Sequence, residues 1–355
     1  MPRHPGSGVR ALHITMLKTL CLAGVIFAHA LLPFVEPTTF VKIYADQPSH
    51  IATQVSFWLN FLIIPSFMLA SGYVMALTLD RQHRTFIQQV INRVKRLLLP
   101  WFCLMVFWMV PLYTLFDLPA YNRPAGFTLA QTYRAGLSGL FTDHLWFLLV
   151  LFWISLFWLA VLPLIKRTGI LPGFILAVVV SLLMDTYGRE LTLYAMWETS
   201  GQIIYFYLGY SLYHGRERIS GLLEERPLTL MAGNAVCFII IANFSQFYQI
   251  LYWIACCMGA LLVYQVCLFL SHSVYARLRD NPQYRYFEDN AFRFYLFHLP
   301  GGLLIFKGLN AANMLSPLPF ILLSFVLNLA ATTLIVMGIN ALEQKWRIGF
   351  VPRGQ

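Results

Sequence analysis

Charge is what this sequence has least of. Only 11% of its 355 residues are Asp, Glu, Lys or Arg, where a soluble domain carries about 25%. With 59% hydrophobic residues and a mean hydropathy of +0.65, that shortage excludes a water-soluble globular chain and leaves a polytopic membrane protein. Metal-binding spacing is missing too. The six cysteines (Cys21, Cys103, Cys237, Cys256, Cys257 and Cys267) all fall inside apolar runs. They read as small hydrophobes and form neither a disulfide framework nor a zinc site. No internal repeat, low-complexity tract or soluble domain is visible, so residues 1–355 read as a single integral-membrane domain.

Runs of about 20 apolar residues are long enough to span a bilayer. Ten are present, at roughly 14–35, 54–78, 97–118, 145–165, 169–186, 195–213, 228–244, 248–271, 290–308 and 318–341. The expected fold is therefore all-α, a bundle of about ten transmembrane helices. The net charge of +10 is mostly topology and needs no nucleic acid to explain it. If the amino terminus is cytoplasmic, 18 of the 25 Lys and Arg lie on that side. Lys42, Arg123, Arg134, Arg189 and Lys307 lie on the other, and Lys18 and Arg293 fall within spans. That asymmetry is what the positive-inside rule requires of ten helices with both termini cytoplasmic. Arg3, Arg10 and the triplet Ala28-His29-Ala30 also resemble a secretory signal with its cleavage site. Against cleavage, the apolar run continues through Leu31, Leu32, Phe34 and Val35. The longest extramembrane segment, 119–144, is placed outside and is long enough for a lid or a short interfacial helix.

Two ionisable side chains sit in the first run. Lys18 and His29 are 11 residues apart, about three helical turns plus roughly 20°, so they share one face about 16 Å apart. Ionisable groups at membrane depth usually face a cavity or a partner, and imidazole is the side chain suited to moving protons near neutral pH. Arg93 and Arg96 share a face leading into the third run. Such a fork suits phosphate oxygens, although positive-inside anchoring alone accounts for many such clusters. Asp143-His144-Leu145-Trp146 opens the fourth run, with Asp143 a candidate helix cap and Trp146 either a sugar-stacking ring or an interfacial anchor. The ninth carries Arg293, expected to snorkel to the cytoplasmic edge, and Tyr295 and His298 on a common face. Pro300-Gly301-Gly302 follows as a possible bend. In the second, Pro65 precedes Ala70-Ser71-Gly72, residues small enough for close helix approach.

Taken together, these residues resemble acyltransferase family 3, the integral-membrane acyltransferases. The matching features are Lys18-x10-His29, the Pro65 to Ser71-Gly72-Tyr73 stretch, Arg93-x-x-Arg96-x-x-x-Pro100, His144-Leu-Trp-Phe-Leu and Tyr295-Leu-Phe-His298-x-Pro. The last two look most like the branch of periplasmic-glucan succinyltransferases and enterobacterial-antigen acetyltransferases. One departure stands out, since the family's first motif normally begins with arginine. Lysine keeps the charge but loses the planar fork.

The resemblance implies transfer of an acyl group, acetyl or succinyl, from cytoplasmic acyl-CoA to a hydroxyl of a cell-envelope glycan or lipid-linked saccharide, in a bacterial inner membrane. His29 is then the catalytic base. Lys18, Arg93 and Arg96 bind the coenzyme, and Trp146, His144, Tyr295 and His298 are candidates for contact with the substrate. Acyl-CoA is a co-substrate; no resident cofactor, metal or nucleic acid is expected, and membrane lipid surrounds the chain. A secondary transporter or lipid-linked glycan flippase, with Lys18, His29 and His298 along its path, is the reading from another class.

Overall fold

A computed structural model describes residues 12–36, 48–82, 84–118, 127–188, 193–216, 219, 225–271, 273–314 and 316–346. All the regular secondary structure among them is helical. The helices are α1 (Leu12–Leu31), α2 (His50–Arg81), α3 (Phe86–Leu115), α4 (Leu129–Leu137), α5 (Trp146–Thr168), α6 (Ile170–Tyr187) and α7 (Gln202–His214). They continue as α8 (Pro227–Phe244), α9 (Gln249–Ser271), α10 (Val274–Asp280), α11 (Pro282–Asp289), α12 (Ala291–Ala311) and α13 (Pro317–Trp346). Both chain ends, on which the expected orientation rests, lie outside the described residues. So does 119–126; the rest of the segment expected to lie outside holds α4, whose first turn is fixed by a reciprocal Thr128–Gln131 cap.

Each of the ten apolar runs contains a helix, but among the described residues eight spans are long and apolar enough to cross a membrane. The exceptions are α7 and α12. The run at 195–213 does not make a full span: Tyr194 and Ala195 take left-handed backbone and Gly201 has φ +71°, so the regular helix begins only at Gln202. Its 13 residues cover about 20 Å, short of a hydrocarbon core of about 30 Å. α12 is long enough but carries Arg293, His298 and Lys307. Both are inner helices. From Arg293 to Pro300 every residue of α12 is buried, whereas α6 and α8 bury three and two residues apiece. The polar side chains therefore sit on a helix screened by others, and the most lipid-like runs lie at the periphery.

Glycines make the centre possible. A Cβ on Gly72 of α2 would sit 1.8 Å from the carbonyl oxygen of Phe206, and one on Gly209 of α7 would sit 1.8 Å from that of Leu69. The two backbones cross in contact, each through the other's glycine, as small residues permit in membrane bundles. α3 contains two widened π-turns, Val94–Leu98 and Met105–Met109. Each lies just before or against a proline, Pro100 and Pro111, where the ring removes one N–H and crowds the preceding turn.

Arg293 does not snorkel. It is 1% exposed, and its Nη2 lies 2.6 Å from Oε2 of Glu343 on α13. Beside this pair, Asn340 donates to the Asn290 side chain and to the Tyr286 hydroxyl, both at 3.1 Å. The charge is neutralised locally within the bundle instead of reaching an interface. Asp143 also differs from a simple cap, since its carboxylate accepts a hydrogen bond from Tyr113. The six cysteines are free thiols.

Candidate active site

Three helices bring three histidines together. His29 lies two residues from the end of α1, His144 lies in the turn Asp143–Leu145 that opens α5, and His298 lies on α12. Nδ1 of His29 and Nε2 of His298 are 2.8 Å apart. The other nitrogen of His298, Nδ1, donates to the carbonyl of Tyr295 one turn earlier, at 2.8 Å. The His144 and His298 rings meet edge to face, with centroids 4.9 Å apart. His298 is fully buried, His144 nearly so, and His29 keeps part of its surface open.

The proline after His298 explains why His144 is there. Pro300 has no N–H, so the carbonyl four residues earlier, on Leu296, is left without its helical partner. Nε2–H of His144 donates to that oxygen at 3.1 Å. In return the Tyr295 hydroxyl donates to the backbone carbonyl of His144. Two hydrogen bonds thus stitch the start of α5 to the middle of α12. They also leave Nδ1 of His144 as a buried lone pair with no partner among the described residues. Trp146, half-buried, packs against Phe147 with ring centroids 6.1 Å apart.

A cavity of about 470 Å³ lies within the bundle and reaches Tyr295, next to this cluster. Lys18 of α1 and Arg93 and Arg96 of α3 all line it, joined by Arg81 at the end of α2. Along α2 its lining extends from Arg81 to Phe67, 14 residues or about 21 Å of helix. One end is therefore cationic. Deeper in, Phe67, Phe147, Leu148 and Tyr295 replace the charges. Tyr295 and Phe147 pack together at 5.8 Å, and Tyr295 also meets the rings of His144 at 5.6 Å and His298 at 6.0 Å. Tyr295 is thus common to the cavity lining and to the surroundings of His144 and His298, while the three histidines themselves lie behind it and not on the lining.

Sequence reasoning missed three charged residues of this cavity. Arg81 belongs to the same basic stretch as Arg93 and Arg96, and that stretch could have pointed to it. Glu288 and Asp289, at the end of α11, carry no such signal. Glu288 is buried and accepts from the Tyr275 hydroxyl at 2.7 Å. Among the described residues, no group of His, Cys, Asp and Glu is placed to hold a metal ion.

What this arrangement can do chemically is limited by its parts. A row of cations can hold a polyanion, a narrow apolar passage can hold an extended arm, and a partly open imidazole can accept a proton. In comparisons with known proteins, residues 12–337 match the profile of a family described as an acyltransferase domain, Acyl_transf_3. No curated protein and no solved structure matches the chain.

Proposed function

From the premise that this chain belongs to acyltransferase family 3, and so is an integral-membrane acyltransferase, we propose that it transfers an acetyl or succinyl group from acyl-CoA to a hydroxyl of a cell-envelope glycan or lipid-linked saccharide. The observation that carries the proposal is the cavity that joins Lys18, Arg81, Arg93 and Arg96 to Tyr295. The Tyr295 ring stands between that cavity and His298, and His298 in turn meets His29.

In this reading the basic end faces the cytoplasm of a bacterial inner membrane. The coenzyme's phosphates lie on Lys18, Arg93 and Arg96, and the extended arm follows the cavity along α2 toward Tyr295. The helical rise between Lys18 and His29, about 16 Å, is the distance it has to cover. The thioester then lies near Tyr295, and the glycan hydroxyl approaches from the open side of His29. Trp146 offers it a half-exposed ring to stack on, and the His144–Tyr295–His298 cluster shapes the pocket in which it reacts.

His29 removes the proton as the hydroxyl oxygen attacks the thioester carbonyl. The C–O bond forms, the C–S bond breaks, and the departing thiolate takes the proton back from the imidazolium. Because a thiolate leaves readily, positioning carries most of the burden. The test is purified protein in lipid nanodiscs with radiolabelled acetyl-CoA or succinyl-CoA and an envelope glycan. Label passing to the glycan supports the proposal. Glycan movement without any acyl-CoA dependence would assign the chain to transport instead.

A further inference from the structure

The hydrogen bonds around His298 fix which nitrogen of His29 is able to act as the base. A carbonyl oxygen can only accept, so Nδ1 of His298, 2.8 Å from the Tyr295 carbonyl, must carry the proton. Neutral imidazole has one N–H, and therefore Nε2 of His298 is a bare lone pair. Its neighbour at 2.8 Å is Nδ1 of His29. That nitrogen must then donate, and Nε2 of His29 is left as the acceptor. The tautomers are assigned from the partners alone.

We propose that His298 is a positioning residue: a neutral histidine, anchored to the Tyr295 carbonyl, that holds His29 in the Nδ1–H tautomer and so presents Nε2 to the acceptor hydroxyl. The inference rests on the reading of His29 as the base. It assigns to an imidazole the task that a carboxylate performs in Ser-His-Asp triads, where the third group sets the tautomer and orientation of the base. The difference is electrostatic. A buried carboxylate would add a charge to this membrane-embedded cluster, which is costly unless compensated, whereas a neutral acceptor fixes the tautomer without one. Proton balance is preserved through the cycle. When Nε2 of His29 takes the hydroxyl proton, Nδ1–H stays bonded to His298, and the proton on Nε2 leaves with the thiolate. His298 itself neither gains nor loses a proton.

Both nitrogens of His298 are then committed, so it does not donate to an oxyanion. The site's polar order extends one step further, because the anchoring carbonyl belongs to Tyr295, whose hydroxyl holds the turn bearing His144.

The test compares His298→Gln with His298→Leu. Gln places an amide oxygen near the position of Nε2 and retains an acceptor for Nδ1–H of His29; Leu fills the space with none. Acyl-CoA binding should be unchanged in both. Glycan acylation at saturating donor should stay within about tenfold of wild type in His298→Gln and fall about a hundredfold or more in His298→Leu. Equal loss in the two variants, retained turnover in His298→Leu, or loss of donor binding in either would overturn the proposal. A second readout needs no activity. Nitrogen-15 spectra of histidine-labelled protein, with His29 assigned by His29→Ala, should give the Nδ1–H tautomer for His29 in wild type and in His298→Gln, and a mixture in His298→Leu. Nε2–H on wild-type His29 would end the proposal even if acyl transfer is confirmed. Absence of acyl transfer alongside the Nδ1–H tautomer would count against the functional reading alone.

Discussion

Substituting Gly209 by alanine is a severe test of the packing at the centre of the bundle. The added Cβ would lie 1.8 Å from the Leu69 carbonyl oxygen, 2.7 Å from its carbon and 3.0 Å from its Cα. All three are backbone atoms of α2, so no side-chain rotation can relieve the contact. Reaching the edge of ordinary contact, at 3.4 Å, requires α2 and α7 to separate by about 1.6 Å. The reciprocal contact of Gly72 with Phe206 belongs to the same crossing and would open with it. Overpacking typically costs about 1–3 kcal/mol, and a backbone-on-backbone clash belongs at the upper end. The cavity is affected as well, because Phe67 and Ser71 of α2 and Phe206 of α7 line it. Gly209→Ala should therefore lower the midpoint of thermal unfolding by about 5 °C or more and weaken acyl-CoA binding. Gly233→Ala is the control. Gly233 lies within α8 with nothing near its Cβ position, so alanine there should be neutral or stabilising by up to about 1 kcal/mol. Fluorescence-detected size exclusion after heating measures both. Equal midpoints for the two variants would refute the crossing.

Further outcomes follow from the same contacts. Glu343→Leu should destabilise the protein by about 3–5 kcal/mol because it removes the carboxylate beside the buried Arg293 guanidinium; adding Arg293→Met should recover most of that, read by the same melting assay. Arg93→Ala or Arg96→Ala should weaken acyl-CoA binding by about 10–150-fold, the loss of one charge-assisted hydrogen bond, while Lys18→Arg keeps binding and Lys18→Ala loses it in calorimetric titration. Reporter fusions at residues 130 and 355 should report opposite sides of the membrane, and matching readouts would contradict the orientation expected from the charge asymmetry.

The helical architecture was legible because apolar runs of span length have few other solutions in a membrane. Lys18, Arg93 and Arg96, which the family resemblance grouped as coenzyme ligands, all line the same cavity. The close approach expected at Ala70-Ser71-Gly72 is present at Gly72. The contacts that give the site its shape are long-range. His29 meets His298 across 269 positions, and Arg293 meets Glu343 across 50. No local periodicity encodes either. Arg293 was misplaced for that reason: a cation near a run's edge reads as snorkelling until a carboxylate from another helix is found beside it. The short α7 escaped notice because hydropathy registers apolar residues and is blind to the left-handed backbone at Tyr194 and Ala195. Pro300 read as a possible bend, whereas in the structure its missing N–H frees the carbonyl that positions His144.

The central claim is that His29 is the base of a membrane acyl transfer, and one pair of variants tests it most directly. Acylated glycan is recovered from cells carrying His29→Ala or His29→Gln, and acyl-CoA binding is measured on the same purified proteins. Both variants should insert and bind acyl-CoA like wild type, and neither should acylate glycan, because Gln keeps a hydrogen bond yet cannot accept the proton. Full acylation by His29→Ala would contradict the account.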